Sequence, residues 1–246
     1  RFDFTGLGHS AGEFANTDFS SNVADLVHAA DFLRASHAAP QLLIGHSLGG
    51  AATIAAARRI PEARAVATIG APAAPKHVER LFAERSEAIR QHGEAEVEIA
   101  GRRFRIGRGF LDDIAQRTLE DDLANLRKAL MVFHAPRDAV VGIDNASTIF
   151  TAAKHPKSFV SLDDADHVLS RQADAVYVAQ VLAAWAGRYL APLEPSASED
   201  VAAGEGEVLV QEAGGNAFRN VVQAGRHRLM ADEPESVGGG DTGPSP

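Results

Sequence analysis

Five residues, Gly45-His46-Ser47-Leu48-Gly49, form a G-x-S-x-G pentapeptide between an apolar run and a stretch of small residues. Glycines on both flanks relieve Cβ crowding, so the chain can turn sharply from strand into helix and lift the Ser47 hydroxyl above a sheet. A serine hydroxyl is a weak nucleophile at neutral pH and needs a base, itself oriented by an acid. Both partners are expected downstream, at strand ends. His167, in Asp164-Ala165-Asp166-His167-Val168, follows an apolar run that ends at Leu162 and is the candidate base. Asp138, in His134-Ala135-Pro136-Arg137-Asp138, follows another such run and is the candidate acid. Asp163, Asp164 and Asp166 are rivals that read better as loop caps, and Asp144 reads as a helix start. Among the other histidines, His46 is expected to point its side chain away from the neighbouring serine, and His134 to pack structurally at a strand end. The chemistry implied is acyl transfer, with the Leu48 N–H as an oxyanion donor.

Other chemistries fit less well. Asp163, Asp164, Asp166 and His167 could suggest a metal, yet there is no His-Glu-x-x-His helix and no second histidine at ligand spacing. Gly6-Leu7-Gly8 lacks the third glycine and the following helix of a dinucleotide loop. No cofactor or metal is therefore expected. Arg102, Arg103, Arg105 and Arg108 face Glu94, Glu96 and Glu98 and read as a solvated, ion-paired surface.

The elements that must hold these residues follow from periodicity. Arg1 to Phe4 alternates like a strand tail, Val23, Leu26, Val27, Ala30 and Leu33 recur at helical spacing within 21–35, and Ser20 to Asn22 offer an N-cap. Leu42 to Ile44 reads as a strand buried on both faces, 50–60 as a helix, and 64–70 as a strand. After a charged insertion, about 73–128, with a hairpin around Gly101, the alternation resumes. It continues as a strand over 129–134, a helix around 146–154, a strand over 158–162 and a helix striped by Val178, Val181, Leu182 and Trp185. The fold class is α/β: a mostly parallel sheet with helices on both faces and a cap formed by the insertion. That domain spans 1–190; residues 191–200 have linker composition, and 201–246 hold three short strands of a second, α+β piece too small to bury a core alone.

Composition narrows the partners. The 246 residues carry a net charge of −9, which disfavours nucleic acid, and no apolar run approaches the roughly 20 residues of a membrane helix. There are no cysteines, which removes disulfides and thiolate chemistry and agrees with a reducing, cytoplasmic compartment.

Residues 1–8, the Gly-His-Ser-Leu-Gly-Gly elbow, the His-Ala-Pro-Arg-Asp strand end and the Asp-His loop together resemble an α/β-hydrolase over about 190 residues. The tail, at 225–234 and 238–246, resembles the opening of an OsmC-type peroxide-resistance domain. The pairing resembles the bacterial bifunctional α/β-hydrolase/OsmC proteins. It implies an esterase-like serine hydrolase acting on a small acyl substrate, and a homodimer built through the OsmC-like part of the full-length protein. It also implies a chain truncated at both ends: the third strand of the family's sheet and its oxyanion loop would precede Arg1, impairing turnover. A non-catalytic docking module and a perhydrolase using the same residues are the alternative readings. OsmC-type domains use cysteines, so no peroxidase activity can reside in these residues.

Overall fold

In the computed structural model, the structure describes residues 2–99, 102–190, 206–213 and 218–244. The chain divides into two compact units, Arg1–Leu190 and Ala191–Pro246. The expected linker, 191–200, lies outside the described residues, as do Arg1 and Gly101.

The first unit opens with α1 (Phe19–Ser36), capped by Asp18, two residues before the first of the serines expected to cap it. Asp18 accepts the Ser21 N–H while the Ser21 hydroxyl accepts the Asp18 N–H, a reciprocal capping box. The expected strand tail before it does not form, and residues 2–4 belong to no strand. A strand needs a partner for its backbone; here the chain instead folds back through the Leu7 N–H to the Phe4 carbonyl, and Asp25 takes both the N–H and the hydroxyl of Thr5.

The alternation then runs β1 (Leu42–His46), α2 (Leu48–Ala57) and β2 (Ala65–Ile69). The insertion supplies α3 (Ala83–His92), the hairpin β3 (Glu94–Ile99) and β4 (Arg102–Gly107), α4 (Arg108–Gln116) and α5 (Glu120–Ala124). Next come β5 (Ala129–His134), α6 (Asp144–Ala152), β6 (Lys157–Ser161) and α7 (Gln172–Ala186). The four sheet strands pair in parallel in the order β1-β2-β5-β6.

Side-chain alternation sends the two faces of this sheet into different cores. Val66, Leu130 and Val132 pack with α1, α2, α6 and the insertion's Phe82, Ile89, Phe110 and Ile114. Ala65, Ala67, Met131 and Phe133 pack against Val178, Leu182 and Trp185 of α7. Every residue of β5 is buried, as expected of a central strand. β1 departs from its expected burial on both faces: among the described residues it pairs only with β2, and Ile44 remains 51% exposed. No helix among the described residues is long and apolar enough to cross a membrane.

The second unit holds an antiparallel sheet of β7 (Val208–Glu212), β8 (Asn220–Ala224) and β9 (His227–Ala231). Its buried Asp232 carboxylate accepts the Glu233, Gly240 and Thr242 N–H groups and the Thr242 hydroxyl, which organises the loop that follows β9.

Candidate active site

Ser47 stands at the corner between β1 and α2 with φ 52° and ψ −130°, a conformation L-residues rarely adopt. The corner is held by the Ser47 N–H, which donates to the Ile69 carbonyl at 2.8 Å, and by the Gly50 N–H, which donates back to the Ser47 carbonyl at 2.8 Å. The close packing falls on particular glycines. A Cβ on Gly45 would press into the Gly49 carbonyl and lie 2.5 Å from Thr53 Oγ1, and one on Gly50 would lie 2.7 Å from the Ala71 Cβ. Gly49 differs from its expected role, because a Cβ there would meet only Phe4 at an ordinary 3.8 Å. Leu48 is the first residue of α2, so its N–H belongs to the helix turn that lacks intrahelical acceptors and carries the positive end of the dipole.

The structure brings the three separated candidates together. His167, in the loop between β6 and α7, has Nε2 2.9 Å from Ser47 Oγ and Nδ1 2.7 Å from Asp138 Oδ2. Asp138, after β5, keeps only 1% of its side chain exposed. Its Oδ1 accepts the Val140 and Val141 N–H groups, each at 2.8 Å, leaving Oδ2 to His167. Burial pushes the Asp138 carboxyl up, but the hydrogen bonds from His167, Val141 and Val140 together outweigh it and hold the group below the usual carboxylate range. An ionised Asp138 can only accept from His167, which makes Nδ1 the donor and leaves Nε2 facing the Ser47 hydroxyl as a hydrogen-bond acceptor. The rival carboxylates are engaged elsewhere: Asp166 binds the Ser170 N–H and hydroxyl, Asp163 the Ser161 hydroxyl, and Asp164 lies 3.4 Å from Arg137. Among the described residues, no group of three or more His, Asp or Glu side chains gathers to hold a metal ion.

The sequence pattern of the family described as "Alpha/beta hydrolase family" matches residues 1–236. The chain belongs to the α/β-hydrolase family. Among solved structures, the esterase domain from a Rhodothermus marinus protein shares 48% identity, covering 77% of this chain and 73% of its own, with a TM-score of 0.61. Mouse α/β hydrolase domain-containing protein 10 shares the fold at 23% identity, covering 76% of this chain and 77% of its own, with a TM-score of 0.63. The monoacylglycerol lipase of Paleococcus ferrophilus does so at 16% identity, covering 75% and 80%, with a TM-score of 0.58. A search of curated proteins returned no match.

Two residues beside this site depart from, or escape, sequence reasoning. His46 does not point away from the site as expected. Its Nε2–H donates to the His167 carbonyl at 2.6 Å and its ring centroid lies 4.8 Å from that of His167, because the loop after β6 crosses above the end of β1. Desolvation dominates there and lowers the His46 pKa below the usual histidine value, against the raising effect of that hydrogen bond. Gly70, which follows β2, adopts φ 56°, and a Cβ on it would lie 3.2 Å from both Asp138 Oδ2 and His167 Nδ1. A glycine directly after an apolar strand was the signal available for it.

Proposed function

We propose that this chain is a serine esterase in which Ser47 is the nucleophile, His167 the general base and acid, and Asp138 the residue that orients and charge-balances His167. The hydrogen-bond chain from Ser47 Oγ through His167 to Asp138 carries this reading. Ser47 Oγ attacks the acyl carbon as its proton passes to His167 Nε2, and the carbonyl oxygen becomes an oxyanion that takes the Leu48 N–H. The imidazolium then protonates the departing alcohol. Water, deprotonated by the same nitrogen, attacks the acyl-serine and releases the acid. The likeness to the Rhodothermus marinus esterase domain supports an ester as the substrate.

We also read the second unit as OsmC-like, on residues 225–234 and 238–246, with the homodimer that this resemblance implies, and place the protein in the cytoplasm because a chain without cysteine suits a reducing compartment. No peroxide chemistry is assigned to it, since the chain has no cysteine.

The assay is hydrolysis of p-nitrophenyl acyl esters together with fluorophosphonate labelling. Ser47→Ala is expected to abolish both. Labelling that persists at another residue would refute the assignment.

A further inference from the structure

A second histidine lies beneath the acid and takes no part in the proposed proton transfers. His134, the last residue of β5, is fully buried. Its Nε2–H donates to the Val141 carbonyl at 2.8 Å, and its Nδ1 has no hydrogen-bond partner among the described residues. The same Nε2 is 3.8 Å from Asp138 Oδ2, beyond hydrogen-bond reach. Val141 is therefore held from both sides, its N–H by the Asp138 carboxylate and its carbonyl by the His134 ring. An apolar side chain would fill this buried position without stranding a ring nitrogen; what the imidazole adds is its one hydrogen bond, to the Val141 carbonyl.

We propose that His134 is a positioning residue for Asp138. By fixing the Val141 carbonyl it holds the turn from 138 to 141 so that the Val140 and Val141 N–H groups occupy Oδ1 and Oδ2 is aimed at His167. The inference rests on the Ser47, His167 and Asp138 reading above. The titratable groups near the ring are Asp138, on the turn that follows β5, and His167, beyond Asp138 in the loop after β6. His134 touches neither substrate nor Ser47 in this scheme; it acts only through the carboxylate.

The full chain is tested with three variants, His134→Leu, His134→Asn and His134→Gln. Each is followed by melting temperature and by kcat and KM for a p-nitrophenyl ester from pH 5 to 9. Leucine removes the donor, asparagine keeps an amide too short to reach Val141, and glutamine carries an amide donor at the reach of Nε2. The leucine and asparagine variants are expected to lose about tenfold in kcat with KM little changed, since a displaced group costs positioning rather than binding. Their acidic limb should move to lower pH, because a less well aimed carboxylate stabilises the His167 imidazolium less. Glutamine should restore both properties. Should leucine prevent folding, the comparison of asparagine with glutamine carries the test. Equal kcat and equal pH limbs in those two variants would overturn the inference. Ser47→Ala in the same assay separates the two proposals: residual turnover there sinks the nucleophile assignment, whereas a dead Ser47→Ala beside unaffected His134 variants sinks only the positioning role.

Discussion

Gly70→Ala probes the site without removing any group proposed to react. The substitution has two separable effects. At φ 56° an alanine pays about 1–2 kcal/mol for the left-handed conformation, and with about 2–4 °C per kcal/mol for a domain of this size the melting temperature should fall by roughly 2–8 °C. The new methyl also arrives 3.2 Å from Asp138 Oδ2 and His167 Nδ1, so something must give by a few tenths of an ångström. Asp138 is pinned through Oδ1 by Val140 and Val141, which leaves the His167 loop to move. A 1 Å misplacement of reacting groups costs about a hundredfold; a shift of this size should lower kcat about three- to tenfold with KM nearly constant. Gly93→Ala is the control. It has φ 91° and nothing within 4 Å of its Cβ, so it should lose stability alone. The measurements are calorimetric melting and steady-state hydrolysis of a p-nitrophenyl ester. If Gly70→Ala kept wild-type kcat while melting early, or if Gly93→Ala lost kcat equally, the argument that the methyl wedges the Asp138–His167 pair would fail.

Two further substitutions test the elbow and the acid. Gly45→Ala should abolish activity and destabilise the fold, since its methyl meets backbone of α2 that cannot yield, whereas Gly49→Ala should retain most of both; melting curves with esterase rates decide, and equal damage in the two would contradict the corner geometry. Asp138→Asn should lower kcat by about 10⁴-fold. Because the folded Asp138 carboxyl is held below the usual range, the unfolded chain binds more protons just below pH 4, and the stability this group supplies at neutral pH is lost as pH falls toward its folded value. The melting-temperature gap between wild type and Asp138→Asn should thus narrow as pH falls below the ordinary aspartate range, about pH 4, and a gap independent of pH would count against the depressed carboxyl.

Local patterns were legible in the sequence where physics is local. The run from Ala129 to Phe133, apolar throughout and followed by His134, was legible as a strand, and it is β5 residue for residue. The strand, Gly-x-Ser-x-Gly and small-residue sequence around Ser47 encodes its own corner, because Gly45 must clear a helix that begins three residues later. The start of α1 misleads: Ser20 to Asn22 read as the cap, whereas Asp18, with Ser21 three residues on, caps the helix. Only tertiary structure decided the rest. Residues 2–4 have the pattern of a strand but no partner within the described residues, and extended backbone becomes a strand only by pairing. His46, Gly70 and His134 acquire their surroundings from loops as far as 121 residues away. Their significance is a matter of distance to a carbonyl or a carboxylate, and no periodicity along the chain encodes distances that arise only when parallel strands bring their ends to a common edge.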